Sequence, residues 1–301
     1  MQVPANLIPD SPLDRFTTIR VGGTADYLCE PASSRAVVEV LRWAAQEGLP
    51  IAVVGKGSNL VVDDAGFRGV VLHLRGALEA ISVRGIRVIC GGGASFPRAV
   101  LRAANHGLSG MEFGASIPGT TGGAVVMNAG AYGGEVKDVL EWAVVCTDEG
   151  RRRMSLDELA FAYRTSAVTR RQVVTLACFQ LHPGERNVID ATLADYRRHR
   201  RSTQPQGVRT FGSVFTNPPN DSAGRLIEQA GCKSLTIGGA RISPIHANFI
   251  EASAGCSSAD VLALIAEARR RVHAGGGPLL EPEVRYLHPT DGIRRAAEEL
   301  A

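Results

Sequence analysis

The chain has 301 residues, 45% hydrophobic, 21% charged and 5% aromatic, an ordinary globular make-up with apolar material for about two domains. Thirty-three Lys and Arg against 30 Asp and Glu leave a formal charge of +3, too little to single out a nucleic-acid partner. No stretch approaches the roughly 18 apolar residues of a membrane-spanning helix. The N-terminus MQVPANLIPDSPLDRF lacks the basic and apolar regions of a secretory signal, so a cytoplasmic location with no membrane partner is expected.

In chain order, capping serines, an apolar stripe (Val37, Val40, Leu41, Ala44) and Gly48 predict a helix over 33–48. Strands follow at 51–54, 60–62 and 69–74, then a hairpin, ISVR and IRVIC, turning at Gly85. A second helix is predicted from about 95 to 106, with Pro97 in its first turn and Gly107 as its stop. Residues 108–134 fit neither period and read as a long glycine-rich loop with no regular element. Strands at 139–147 and 172–182 flank a short helix opened by the capping box SLDE (155–158). A helix over about 187–202 ends before Gln204-Pro205, the best linker. Beyond it come a strand GSVF, a helix over 222–230, strands near 235–243 and 247–251, a strong helix over 258–273, and a strand LLEPEVRYL (279–287). The alternation is α+β.

Cys29, Cys90, Cys146, Cys178, Cys232 and Cys256 have no close pair and read as buried small hydrophobes. The seven histidines show no metal spacing, so no metal site is expected. The run YRRHRR, from Tyr196 to Arg201, reads as charge on a solvated helix face.

The informative excess is 34 glycines, which cluster. Strand–GKGSN–strand fails the Rossmann pattern: Leu60 stands where the third glycine belongs, and Val61-Val62 continue a strand. What remains is a tight turn able to offer amides, Ser58 and Asn59 to a phosphate. The segment GASIPGTTGGAVVMNAGAYGGE (114–135) suggests backbone wrapped around a large neutral-to-anionic ligand, backed by Ile117, Val125 and Met127.

These clusters, with TTIRVGGTADY (17–27), VVGKGSNLVVDDAGFRGVV (53–71), the segment 107–136, YRTS (163–166), GSVFTNPP (212–219), AGRLIEQAG (223–231), IGGARISPIHANFI (237–250) and LLEPEVRYL, occur in one order. Together they resemble the MurB family of UDP-N-acetylenolpyruvoylglucosamine reductases, over about residues 13–287. The resemblance implies a two-subdomain FAD-binding module of the vanillyl-alcohol-oxidase/PCMH type (1–75 and 76–203) and an α+β substrate domain (204–301). It implies non-covalent FAD, NADPH as reductant, and reduction of an enolpyruvyl UDP-sugar ether to the lactyl ether in peptidoglycan synthesis. A monomer is expected. The alternative is another FAD oxidoreductase or oxidase of this fold, acting on a sugar or hydroxy acid.

Residue by residue, the resemblance implies that Arg164 clamps the substrate carboxylate, that Ser213 donates the proton and that Glu283 serves the carboxylate side. Alternation along a strand places Glu281 on the same face as Glu283 and cannot separate them; the family motif selects Glu283. FAD would be held by Val54, Gly55, Lys56, Gly57, Ser58, Asn59 and Leu60 in the first loop. In the second it would be held by Gly114, Ala115, Ser116, Ile117, Pro118, Gly119, Thr121, Gly122, Gly123, Ala124, Asn128, Gly130 and Ala131. Asn217, Lys233, Tyr132 and His246 would contact substrate. Arg164 and Ser213 leave no room for an inserted tyrosine loop, which implies the shorter class.

Overall fold

The structure, a computed structural model, describes Pro4 and residues 6–300; Met1–3 and Ala5, part of the stretch read for a signal, lie outside the described residues. Two compact units divide the chain. The first holds residues 27–56 and 70–200 with the first eight residues; the second holds 9–26, 57–69 and 201–301. Among the described residues no helix is long and apolar enough to cross a membrane.

In the first unit, α1 (Ser34–Gln46) is capped by Ser33, whose hydroxyl accepts from the Ala36 amide. Its buried face, Val37, Val38, Val40, Leu41, Trp43 and Ala44, packs with Val70, Leu72 and Leu74 in one core. Here Ile51–Val53 runs parallel to Val70–Leu72. A second core lies on a five-stranded antiparallel sheet ordered Arg151–Met154, Leu140–Cys146, Val173–Gln180, Arg87–Gly91, Ile81–Arg84. The last two form the predicted hairpin, with Gly85 at φ +59°. α2 (Phe96–Ala104) buries Phe96, Ala99, Val100 and Ala103 in that core.

The 108–134 segment departs from expectation. It contains α3 (Thr121–Val126) and a two-stranded pairing of Gly130–Ala131 with Gly134–Glu135. A helix forms despite two glycines because the Thr120 hydroxyl accepts from the Gly123 amide at 3.3 Å, capping it. Gly122 also lets it rest on backbone: a Cβ there would sit 3.0 Å from the Gly92 carbonyl oxygen and 3.1 Å from that of Val174. α4 (Leu156–Leu159) carries the Ser155–Glu158 capping box, and α5 (Arg186–Thr203) completes the helices that begin in this unit.

In the second unit α6 (Ala223–Gln229) and α7 (Ser258–Ala274) pack with Phe211, Val214, Phe215, Leu280 and Val284 in a third core. Asp64 ties the 57–69 segment to α7: its carboxylate accepts from the Ser258 amide at 2.9 Å and hydroxyl at 2.8 Å. Arg285–His288 runs parallel to Leu60–Val62 and antiparallel to Gly292–Arg295.

One expected strand is absent and another is shortened. GSVF is irregular because Asn248 takes the place of a neighbouring strand. Its side chain accepts from the Phe215 amide and donates to the Phe215 carbonyl, and its backbone oxygen accepts from the Val214 amide. In LLEPEVRYL only residues from Arg285 onward are strand, since Pro282 has no amide to donate. The alternation argument over Glu281 and Glu283 therefore lapses. Among the cysteines Cys256 is half-buried, while the other five are buried as expected.

Candidate functional site

The first unit brings the two glycine clusters together. A Cβ on Gly55 would lie 2.4 Å from Thr120 Oγ1, so only hydrogen permits the approach. Lys56 Nζ donates to Ser95 Oγ at 3.2 Å, and Ser95 pairs with Thr120 across an isolated bridge. Thr120 was not among the predicted residues, although a threonine three positions before Gly123 is a legible helix cap. Val54 and Ala124 are buried, and the Val54 carbonyl meets His73 Nδ1 at 2.9 Å. Gly114 abuts the Phe96 ring, and buried Thr121 donates to the Ala94 carbonyl from both amide and hydroxyl. Many of these side chains thus face protein, which leaves backbone as what the segment can offer a ligand.

Ser116 is different. Its hydroxyl is buried and has no hydrogen-bond partner among the described residues. An orphaned buried donor in a glycine-rich segment fits an acceptor-rich group such as a phosphorylated cofactor.

Arg164, at φ +57°, is held to the same segment from three sides. Its Nη2 donates to the Gly130 carbonyl at 2.9 Å, Ser166 Oγ donates to the Val126 carbonyl at 2.9 Å, and Asn128 Nδ2 donates to the Ala162 carbonyl at 3.1 Å. Asn128 is fully buried, and its amide also serves Glu135 and the Lys137 amide, so its side chain is a bracket for the Arg164 segment. The guanidinium lies 4.6 Å over the Tyr163 ring.

Tyr132 stacks on Tyr196 of α5 at 4.0 Å and 7°. The expectation of a wholly solvated YRRHRR face fails there: Tyr196, Arg197 and Arg200 are half-buried, and Arg200 donates to the Ser116 carbonyl. The i, i+4 spacing of Tyr196 and Arg200, read as a face, carried that signal.

The second unit brings Ser213 and Glu283 together across 70 residues of sequence. The Glu283 amide donates to the Val214 carbonyl at 2.8 Å, beside Ser213. Residues 57–60 belong to the same assembly. The Ser58 carbonyl accepts from the Gly212 amide at 2.8 Å, and Asn59 Nδ2 donates to the Glu283 carbonyl at 3.3 Å. Gly57 is held at φ +58°, where a Cβ would strike the Phe16 carbonyl. Leu60 is buried in its strand.

The expected substrate contacts of this unit lie around α6. Asn217 Oδ1 accepts from the Ala223 amide at 3.0 Å, and Lys233 pairs with Glu228 at 3.0 Å. His246 Nδ1 accepts from the Asn248 amide at 3.2 Å, and Gly224 gives its ring room. Burial pushes the His246 pKa down, so the neutral ring is favoured.

Residues 204–287 match the family profile described as UDP-N-acetylenolpyruvoylglucosamine reductase, C-terminal domain, and residues 25–154 match that of an FAD binding domain. A UDP-N-acetylenolpyruvoylglucosamine reductase of Anaeromyxobacter dehalogenans is 44% identical over 92% of this chain and 84% of its own. One of Symbiobacterium thermophilum is 42% identical over 94% and 92%. The crystal structure of the enzyme named MurB from Thermus caldophilus superposes with TM-score 0.80 at 34% identity, covering 93% of this chain and 98% of that one. 6-Hydroxy-D-nicotine oxidase of Arthrobacter nicotinovorans shares the fold, with TM-score 0.54 at 16% identity over 92% of this chain and 87% of that one. The α+β fold is thus of the vanillyl-alcohol-oxidase/PCMH type, and its cofactor is FAD.

Proposed function

The chain belongs to the UDP-N-acetylenolpyruvoylglucosamine reductase family, whose members are FAD-dependent oxidoreductases, and from that premise we propose that it reduces the enolpyruvyl ether of a UDP-sugar with electrons from NADPH. FAD, when bound, supplies the hydride. The chain's own residues do the rest. Arg164 clamps the substrate carboxylate, because a guanidinium is planar, always charged and able to bind both oxygens. Its left-handed backbone and anchor on the Gly130 carbonyl support that role by fixing its direction. Ser213 gives the proton to the carbon left electron-rich by hydride addition. A hydroxyl can do this only toward a strongly basic acceptor in an organised site. Glu283 hydrogen-bonds the carboxylate side.

The observation that carries this reading is the convergence of Ser213 and Glu283 through the Val214 carbonyl, with Asn59 of the first glycine loop bonded to Glu283. In the proposal Gly55 to Leu60 and Gly114 to Ala131 hold FAD chiefly through backbone amides. Lys233, Asn217 and His246 in the second unit, and Tyr132 in the first, receive the diphosphate-bearing ligands, NADPH and then substrate. The proposal keeps subdomains 1–75 and 76–203 for FAD and 204–301 for substrate. We place the protein in the cytoplasm as a monomer, acting in peptidoglycan synthesis.

The test is anaerobic. NADPH should bleach the flavin absorption, and the enolpyruvyl UDP-sugar should then restore it in one turnover. Flavin that NADPH reduces but this substrate leaves bleached overturns the assignment.

A further inference from the structure

Ser213 lies in irregular chain, so the hydrogen bonds of its neighbours set its direction. On one edge of this stretch the Val214 carbonyl accepts from the Glu283 amide at 2.8 Å, and the Thr216 amide donates to the Glu281 carbonyl at 3.0 Å. On the other edge stands Asn248. Its backbone carbonyl accepts from the Val214 amide at 3.0 Å, its Oδ1 accepts from the Phe215 amide at 2.9 Å, and its Nδ2 donates to the Phe215 carbonyl at 2.8 Å. One primary amide thus answers both backbone groups of Phe215. Asn248 is itself confined: it is 3% exposed, and its amide is tied to His246 Nδ1 at 3.2 Å. On the side of α6, a Cβ on Gly224 would lie 3.7 Å from the Asn248 Cβ.

We propose that Asn248 is a positioning residue for the proton transfer: by gripping Phe215 it aims the Ser213 hydroxyl and, through the Val214 carbonyl, keeps Glu283 in register with it. This rests on Ser213 as the proton donor. A hydroxyl is a weak acid and gives up its proton only to an acceptor within hydrogen-bond reach. A displacement of about 1 Å at such a group costs about 100-fold in rate.

The test follows two half-reactions of the flavin-loaded enzyme by stopped flow. Bleaching by NADPH needs no proton from Ser213, whereas reoxidation by the enolpyruvyl UDP-sugar does. Asn248→Ala should slow reoxidation about 100-fold relative to bleaching. Asn248→Asp carries the sharper expectation. A protonated carboxyl accepts from the Phe215 amide and donates to the Phe215 carbonyl, as Asn248 does, but an ionised one has no proton to donate. Burial raises the pKa of such a carboxyl. Reoxidation by Asn248→Asp, divided by the wild-type rate at each pH, should therefore rise about tenfold or more from about pH 9 to pH 6. The division cancels titration of His246, Lys233, Glu228, Glu281 and Glu283, which the segments around Asn248 carry in both proteins. If Asn248→Ala does not retain flavin, Asn248→Asp decides alone. Ser213→Ala reoxidising at the wild-type rate would end the reading on which the proposal stands. With Ser213→Ala slow, a ratio for Asn248→Asp that stays flat with pH, or equal slowing of both half-reactions, overturns the positioning role.

Discussion

The side-chain amide of Asn128 donates to the carbonyl of Ala162 at 3.1 Å, two residues ahead of Arg164. A fully buried residue of the glycine segment thereby sets the path of the chain that carries the proposed carboxylate clamp. Asn128→Ala should leave Glu135 and the Ala162 carbonyl short of a donor, at a cost of about 1–3 kcal/mol in urea unfolding. A misdirected clamp should lower kcat for enolpyruvyl reduction by about 100-fold. Flavin absorbance should persist, and stopped-flow reoxidation against NADPH bleaching would localise the defect. Wild-type reoxidation would separate Asn128 from the clamp.

Gly55 and Thr120 make a second check. The Cβ of Gly55→Ala meets a β-branched side chain that also caps α3, so overpacking should cost about 1–3 kcal/mol and flavin occupancy. Thr120→Ala removes the obstructing Oγ1. In a double-mutant cycle by urea denaturation, Gly55→Ala should therefore cost less in the Thr120→Ala background. Strictly additive losses would refute the contact.

Ser213→Ala should bind flavin and accept electrons from NADPH as wild type does. Reoxidation by substrate should slow by about 10²–10⁴-fold, the range for a lost general acid. Ordinary turnover would remove the hydroxyl from the chemistry.

His246 predicts a pH dependence. Burial lowers its pKa in the folded protein below the ordinary 6.5. Between those values the unfolded chain binds more protons, so stability falls as pH drops below about 6.5 and levels off beneath the folded pKa. His246→Gln should flatten this slope in urea unfolding from pH 8 to 5. An unchanged slope would place the titration elsewhere.

How far the sequence foretold this molecule follows from where its signals lie. Apolar periodicity located α1 and α7, and Gly85 located a hairpin, because one burial face dominates each. α3 escaped because glycine has poor helix propensity, while the capping threonine and the backbone floor beneath it act through tertiary structure. GSVF reads as strand by composition, yet its hydrogen bonds go to the Asn248 side chain, a partner no local pattern reveals. Arg164, Ser213 and Glu283 were singled out as candidates only through ordered family motifs, since a lone arginine or serine carries no periodic mark. Arg200 hid in a charge run whose default reading is solvent.

The floor under α3 has a consequence for biosynthesis. Val174, whose carbonyl lies 3.1 Å from where a Gly122 Cβ would sit, is translated 52 residues after Gly122. An isolated helix of six residues is far below the roughly 12–15 needed for stability in water. A nascent chain stalled before Val174 thus offers this helix only the Gly92 carbonyl, 3.0 Å from the same Cβ position, as a floor. The full floor beneath α3 forms once Val173–Gln180 has left the ribosome and paired with Arg87–Gly91.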